Sequence, residues 1–297
     1  NYFTKLKVTQ SLVEKTLGMT DLPLLSEPNL QQQLVEIGYQ GKKLEELEAL
    51  STAEKAKMLF IVQDPYTSYY DAKVVRDFVA LTQKLGFSPI LLPFKPNGKA
   101  MHIKGFLARF SKTAKTQAEF LNRVAKLNVP LVGVDPAIVL SYRDEYKEAL
   151  GDSRGDFHVL TAHEWLTNQL ESNSLQSAVK NIAKSDRTFE WHLFPHCTES
   201  TFMPNSPKEW QHIFAQFGQT LKVEKVGCCG MAGVFGHEFQ NQTMSKDIYD
   251  VSWGKKLQGK DLNHCLATGY SCRSQVKRYE KAILKHPIQA LLEVLNS

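Results

Sequence analysis

Residues 58–62 read Met-Leu-Phe-Ile-Val, and the chain continues Gln63-Asp64-Pro65. A short apolar run that ends at an Asp-Pro turn is typical of a buried strand in a parallel sheet. Residues 71–85 then carry apolar side chains at helical spacing, and Gly86 follows as a helix stop. The next apolar run, 89–92, predicts a second strand, so this stretch indicates a βαβ unit.

The alternation of strands and helices continues through the rest of the chain. Further strands are predicted at residues 131–134, 189–194, 221–226 and 264–268, with amphipathic segments between them. The strand ends of the two halves can be matched in order, which indicates an internal repeat. The sequence therefore predicts an α/β fold with two lobes related by a pseudo-twofold axis, each built on a parallel sheet.

We predict three segments along the chain. Residues 1–56 form a helical extension, supported by a rough apolar stripe from Leu6 to Leu17. Residues 57–153 form the first lobe, and residues 154–297 form the second lobe. Within the second lobe, Thr161–Glu164 fits a capping box that opens a helix.

The composition narrows the class of protein. The 297 residues are 42% hydrophobic and 23% charged, which excludes a largely disordered chain. The net charge of +5 is too small to indicate a nucleic-acid partner. No apolar run reaches the ~20 residues of a transmembrane helix. The chain begins at Asn1 without a signal-peptide pattern, so we expect a piece of a longer polypeptide, cytoplasmic or peripheral at the inner face of the membrane.

The cysteines are the first functional signal. The first 196 residues contain none, and all five lie between residues 197 and 272. Four of them follow predicted strands, where ligands gather in open α/β folds. The four candidate metal ligands are Cys197, Cys228, Cys229 and Cys272. Four thiolates suit an iron–sulfur cluster or a tetrahedral zinc ion, and inert buried thiols are the third interpretation.

Glycines surround the cysteine pair. Because glycine lets backbone amides approach closely, the amides of this loop could stabilise a reduced cluster. We therefore predict that Gly227, Gly230, Gly233 and His237 line the cofactor. Cys265 lies inside an apolar run and is predicted to be part of the core.

The cysteine pattern resembles a known domain. Cys197, Gly-Cys228-Cys229-Gly and Thr268-Gly-Tyr-Ser-Cys272 are similar to the cysteine-rich "CCG" domain. That domain occurs in heterodisulfide reductases and in the iron–sulfur parts of glycolate and glycerol-3-phosphate oxidases. The resemblance implies a [4Fe–4S] cluster, with Zn²⁺ as the alternative cofactor.

Longer motifs make the match closer. They are Val62–Asp71, Tyr142–Tyr146, Gly227–Glu238 and Ala267–Arg278. Together they resemble the C-terminal region of the large bacterial FAD-linked oxidoreductases with iron–sulfur centres, the class of the D-2-hydroxyacid and D-2-hydroxyglutarate dehydrogenases. The resemblance covers roughly residues 57–297.

This resemblance implies partners and a division of labour. The upstream flavin and ferredoxin-like domains of the same polypeptide would hold FAD, and residues 1–56 would lead from the upstream iron–sulfur region. Electrons would leave towards a quinone or another carrier. This chain would hold no FAD and no catalytic residue, and it would not turn over substrate alone.

The sequence departs from the family pattern in its first lobe. Phe94–Gly98 stands where a first CCG element would be, and Asp135–Ala137 stands where a cysteine would follow the third strand. We therefore expect no metal in that lobe. Residues 95–126 are strongly basic, which suits a solvated helix face or a docking surface. Two other functions stay open, a zinc-stabilised docking domain and a thiol redox module of the heterodisulfide-reductase type.

Overall fold

The computed structural model describes residues 12–16, 18–20, 23–175 and 188–297. Two parallel sheets organise these residues. The first sheet has four strands in the order β2-β1-β3-β4, and the second has three in the order β6-β5-β7. The strands are β1 (Met58–Val62), β2 (Ser88–Leu91), β3 (Leu131–Gly133), β4 (Val159–Thr161), β5 (Glu190–Phe194), β6 (Thr220–Val223) and β7 (Cys265–Ala267). The α/β fold with parallel sheets is thus confirmed.

The two sheets share one topology at their centres. In each, the strand that comes first in the chain is central, the next lies on one side of it and the third lies on the other. In the first sheet Phe60 pairs with Ile90 on one side and Leu131 on the other. In the second, His192 pairs with Lys222 and with Cys265. This shared order agrees with the predicted repeat, while the pseudo-twofold axis itself stays a prediction.

Helices connect and cover the strands. They are α1 (Leu30–Glu36), α2 (Thr52–Lys55), α3 (Ala72–Lys84), α4 (Lys99–Ile103), α5 (Leu107–Ala125), α6 (Pro136–Arg143), α7 (Glu145–Leu150), α8 (Ala162–Glu171), α9 (Cys197–Phe202), α10 (Ser206–Gln216), α11 (Gln242–Tyr249), α12 (Lys255–Leu257), α13 (Tyr270–Glu280) and α14 (Pro287–Val294). Five-residue π-helical segments occur at Tyr66–Tyr70 and Asp250–Gly254. None of the helices in the described part of the chain is long and apolar enough to cross a bilayer.

The alternation of side chains along β1 divides the core. Leu59 and Ile61 point into a core that the first sheet shares with the second. Met58, Phe60 and Val62 point to the opposite face, where α5 covers the first sheet. All five side chains are buried, as expected for a strand covered on both faces.

The second sheet is divided in the same way. Trp191, Leu193 and Leu266 face the shared core, which α3 and α14 also line. Cys265 and Ala267 face a separate core on the far side of the second sheet. Since the shared core takes residues from both sheets, the two lobes form one packed body.

One strand departs from the predicted organisation. Val159–Thr161 pairs in parallel with Leu131–Gly133, so it extends the first sheet, although the sequence assigned residues 154–297 to the second lobe. The capping box at Thr161 is present and opens α8, as predicted. The domain boundaries themselves stay a prediction.

The described part of the predicted extension packs on the main body. Leu30 and Leu34 of α1 are buried in the shared core. The predicted apolar stripe from Leu6 to Leu17 lies outside the described residues except for residues 12–16, which are helical.

Candidate functional site

The four predicted cysteine ligands lie at the carboxyl edge of the second sheet. Cys197 is the first residue of α9, after β5. Cys228 and Cys229 lie in the loop after β6, and Cys272 lies in the first turn of α13, after β7. Because α13 begins at Tyr270, a helix turn holds the Cys272 sulfur in place.

The four thiols interact with one another in a chain. The Cys228 sulfur accepts hydrogen bonds from the thiols of Cys197 and Cys229, and Cys229 also contacts Cys272. The contact with Cys197 comes first among the causes that hold the pKa of Cys228 well below its ordinary value. Its contacts in turn raise the pKa of Cys197 and of Cys229. The lowered pKa favours the thiolate at Cys228, the form in which a cysteine binds metal or attacks.

Backbone geometry also favours a thiolate at Cys228. The Gly230 amide donates a hydrogen bond to the Cys228 sulfur over 3.3 Å. Gly230 has φ +85°, and a Cβ there would lie 2.2 Å from the Ser245 carbonyl oxygen, so no other residue fits without a shift of the backbone. An amide directed at sulfur is the kind of contact that stabilises a thiolate or a reduced cluster.

Two residues that the sequence analysis missed fix the cysteine loop. The Ser245 hydroxyl donates to the Gly230 carbonyl over 2.8 Å, and the Gln275 amide donates to the Ser245 hydroxyl over 2.8 Å. Both side chains are fully buried. Since Gln275 lies one turn after Cys272 on α13, this relay ties the cysteine pair to the helix of the fourth cysteine.

A second interlock joins the turns of Cys197 and Cys272. The His196 ring caps α9 by accepting from the Thr198 amide, and its backbone amide donates to the Thr268 hydroxyl over 2.9 Å. A Cβ on Gly269 would lie 2.3 Å from the His196 ring, so the ring rests directly on that backbone. The sequence does not predict this contact between the His196 ring and the Gly269 backbone.

A buried carboxyl side chain also connects the turns that carry Cys197 and Cys272. Glu199, in the first turn of α9, is 1% exposed. Its two oxygens accept hydrogen bonds from the hydroxyls of Ser206 and Thr268. A buried charge persists only with such partners, so Glu199 holds α9 against the end of β7.

The remaining predicted residues have structural partners. The Gly227 amide donates to the Ser252 hydroxyl over 2.8 Å. Gly233 has φ +70°, and a Cβ there would lie 3.0 Å from the Ile103 side chain of the first lobe. The His237 Nδ1 lies 3.0 Å from an Arg278 nitrogen, and because arginine only donates, Nδ1 is the acceptor. Their role in binding a cofactor stays a prediction.

Cys265 differs from the other four cysteines. It is fully buried in β7, and burial raises its pKa to about 12. Its thiol donates to the Asp261 carbonyl over 3.5 Å. The predicted core position is confirmed, and the thiol is protonated and inert at neutral pH.

The donor set fits a cysteine-ligated group. Among the described residues, no set of three or more His, Cys, Asp or Glu side chains is arranged to hold a metal ion. The chemistry of the four cysteines nevertheless matches what iron–sulfur clusters and zinc bind, because four sulfurs come from three turns and a backbone amide is directed at one of them. The ligand assignment stays a prediction that this chemistry favours.

Comparison with curated proteins finds long relatives. The chain is 82% identical over 296 residues to the D-2-hydroxyglutarate dehydrogenase of Haemophilus influenzae, a match that takes in 100% of the chain and 29% of the relative. It is 55% identical over 296 residues to the D-2-hydroxyglutarate dehydrogenase of Escherichia coli K12, again with 100% of the chain and 28% of the relative. The chain thus spans less than a third of the length of these relatives. No protein-family model matches it.

A more distant similarity points to another redox protein. The chain is 21% identical over 234 residues to one component of the anaerobic glycerol-3-phosphate dehydrogenase of Escherichia coli K12. That match covers 77% of the chain and 57% of the relative. All three of these relatives are thus named as dehydrogenases or as part of one.

Proposed function

We propose that this chain is the C-terminal, cysteine-rich electron-transfer region of an FAD-dependent D-2-hydroxyacid dehydrogenase whose substrate is D-2-hydroxyglutarate. The convergence of four thiols from three separate turns, with the Gly230 amide directed at the Cys228 sulfur, carries the proposal. The names of the highly identical relatives support the substrate. The short share of those relatives that the chain spans supports its being one region of a longer enzyme.

Cys197, Cys228, Cys229 and Cys272 would hold a [4Fe–4S] cluster, with the Gly230 amide directed at one of its sulfur ligands. Such a cluster passes one electron at a time. The protein's own part is to keep the sulfurs in place. It excludes water from Cys229 and Cys272, which are 3% and 1% exposed. Cys197 and Cys228 are half-buried and lie nearer to solvent.

The whole enzyme would divide the reaction among its parts. FAD in the upstream flavin domain would take a hydride from the hydroxyacid, and ferredoxin-like domains would lie between it and this region. The electrons would leave for a quinone or another carrier. In this division the present chain is cytoplasmic or peripheral at the inner face of the membrane, and alone it is inactive.

A second candidate rests on the same electrostatics. A thiolate at Cys228 that accepts from two neighbouring thiols is also the arrangement of a reactive dithiol. In that case the chain would be a thiol redox module of the heterodisulfide-reductase type. A third, the zinc-stabilised docking domain, uses the same four ligands.

The test compares two cysteines on the same strand-to-helix connection. The intact protein is purified and reconstituted with iron and sulfide without oxygen, and iron, zinc and the visible absorption spectrum are measured. We expect Cys272→Ser to abolish the broad iron–sulfur absorbance. Cys265→Ser is the matched control, because the Cys265 thiol donates to the Asp261 carbonyl, and it should leave the spectrum intact.

Each contrary result selects an alternative. If Cys265→Ser removes the absorbance and Cys272→Ser does not, the ligand set is wrong. If the wild-type protein never takes up iron but binds one zinc ion tightly, it is the docking domain. If it binds neither and Cys228 forms a disulfide reversibly, it is the thiol redox module.

A further inference from the structure

The helix that carries Cys272 is capped by the other lobe. Gly269 is the N-cap of α13 and has no side chain to accept from the free amides of the first turn. The Tyr270 amide instead donates over 2.8 Å to Oδ2 of Asp135, which follows β3 in the first lobe. The two residues are 135 positions apart in the chain.

The same carboxylate also caps its own helix. Oδ1 of Asp135 accepts from the amides of Ala137 over 3.0 Å and Ile138 over 3.3 Å, at the start of α6. Asp135 is 4% exposed. One buried carboxylate therefore accepts hydrogen bonds from first-turn amides of two helices, one in each lobe. Its charge interacts favourably with both helix dipoles.

A salt bridge between the lobes holds the same turn. Nε of Arg273, the residue after Cys272, donates to Oδ2 of Asp71 over 2.9 Å. Nη1 of the same guanidinium donates to the carbonyls of Ala267 and Thr268 over 2.9 and 3.0 Å. Arg273 is 3% exposed, so these are buried charge-assisted contacts.

Ring stacking adds a third contact. The Tyr270 ring stacks on Tyr66 of the first lobe with 5.4 Å between centroids and an angle of 14° between planes. Amide, guanidinium and ring thus bind residues 270–273 to loops that follow β1 and β3. These loops are where the first lobe would carry cysteines if it repeated the second.

We propose that Asp135 is a positioning residue for the Cys272 sulfur: the first lobe supplies the helix cap that sets where the fourth cysteine stands. Cys272 is the third residue of α13, so any displacement of the first turn moves its sulfur relative to Cys229. This proposal rests on the proposed function only in making that sulfur a ligand. The position of the sulfur can be measured without metal.

The test separates the two caps that Asp135 provides. Asp135→Asn keeps the shape but turns an amide donor, in one of its orientations, towards the Tyr270 amide. Asp135→Ser keeps the cap of α6, because serine is a good N-cap, but is too short to reach across to Tyr270. Asp261→Asn is the control, since Asp261 caps the exposed Leu262–His264 turn away from the lobe interface.

The first readout uses the intact, metal-free protein. Alkylation of each cysteine is followed by mass spectrometry, together with hydrogen exchange of residues 270–273. We expect Cys272 to be labelled about tenfold faster or more in both Asp135 variants, the change that loss of one charge-assisted hydrogen bond corresponds to. Cys265 should keep its wild-type rate, and Asp261→Asn should change neither.

The second readout uses protein reconstituted with iron. If Cys272 is a ligand, the Asp135 variants should shift the reduction potential and the electron paramagnetic resonance spectrum while Asp261→Asn does not. Unchanged labelling of Cys272 in both Asp135 variants overturns the proposal, as does an equal rise at Cys265, which indicates general loosening. If the wild type binds no iron, the proposed function fails, and the labelling still decides the role of Asp135.

Discussion

The two sheets place different chemistry at the same topological positions. Each sheet ends its three central strands at one edge, and each edge faces the other lobe. At the edge of the first sheet the residues carry oxygen or amide side chains, and at the edge of the second they carry thiols. The first set is Asp64, Asn97 and Asp135, and the second is Cys197, Cys228, Cys229 and Cys272.

Oxygens of the first set accept hydrogen bonds from the protein's own backbone amides. Oδ1 of Asp64 accepts from the amides of Tyr66 and Thr67 over 2.8 and 2.9 Å. Oδ1 of Asn97 accepts from the Lys99 amide over 2.9 Å. Together with the double cap at Asp135, these side chains close the turns in which they lie.

The thiols of the second set interact with one another, and under the proposed function they bind a ligand. Capping at that edge falls to His196, while the Cys228 sulfur accepts from thiols and from one amide. The comparison teaches that the fold decides where groups converge and the residue type decides what they do. Under the proposed function, the first lobe is a support and the second lobe holds the site.

The largest expected difference between the lobes concerns their matching glycines. Gly230 and Gly98 both have positive φ, +85° and +79°. A Cβ on Gly230 would lie 2.2 Å from a backbone carbonyl, whereas one on Gly98 would lie 2.9 Å from the Phe110 ring. We expect Gly230→Ala to lower the free energy of unfolding by about 4 kcal/mol and Gly98→Ala by about 2 kcal/mol, because a ring can move and a backbone cannot.

Urea unfolding of both variants measures this difference. Gly227→Ala is the control within the cysteine loop, since its Cβ would have ordinary contact at 3.5 Å with the Ser252 hydroxyl. Equal losses for Gly230 and Gly98 would mean that the cysteine loop is no more tightly built than its counterpart.

Much of the fold follows from the sequence, because buried parallel strands are continuous apolar runs. Six of the seven strands lie at the predicted places, with ends that differ by at most three residues. The exception is β4, where the apolar run is only Val159 and Leu160 and the last residue, Thr161, also opens a helix. The convergence of the cysteines followed from one rule, that parallel strands end at one edge.

The supports of the site did not follow from the sequence. The Ser245–Gln275 relay, the contact of His196 with Gly269 and the cap from Asp135 each join residues far apart in the chain. Local pattern carries no information about such pairs, since each residue type is ordinary in its own segment. A glycine before a helix without a capping side chain, as at Gly269, is the kind of local signal that could have suggested a partner elsewhere.

The second prediction contrasts buried carboxylates in the two lobes. Burial, and then the charge of Asp135, raises the pKa of Asp64 from 3.8 to about 6. The folded state therefore binds the proton more tightly than the unfolded state. The contribution of Asp64 to the free energy of unfolding should fall as the pH rises from about 4 to about 6. Up to about 3 kcal/mol of this contribution is lost above that window.

Glu224 in the second lobe should behave in the opposite way. Burial acts to raise its pKa, but hydrogen bonds from Lys260 and His192 outweigh burial and lower it. Its contribution to stability is present above its ordinary pKa of 4.5 and is lost as the pH falls. In urea unfolding between about pH 4 and pH 8, Asp64→Asn should stabilise the protein most at neutral pH, and Glu224→Gln should destabilise it there. Parallel pH profiles for the two variants would contradict the contrast.

The smallest effect is expected from the exposed ion pair that joins the lobes. Lys104 of the first lobe pairs with Glu238, which follows the cysteine loop, and their side chains are 42% and 20% exposed. Water and salt screen such a pair, and ordering two long side chains opposes it, so pairs of this kind contribute little. We expect a double-mutant cycle of Lys104→Met and Glu238→Gln to give a coupling below about 1 kcal/mol that shrinks further at high salt.

A matched exposed pair within one lobe provides the control for this cycle. Lys222 and Glu190 pair over 2.8 Å within the second sheet and do not join the lobes. A coupling for Lys104 and Glu238 well above that of the control would mean that surface charge holds the lobes together. A coupling equal to the control leaves that task to the buried contacts of Asp135, Arg273 and Tyr270, where the first lobe meets the helix of the fourth cysteine.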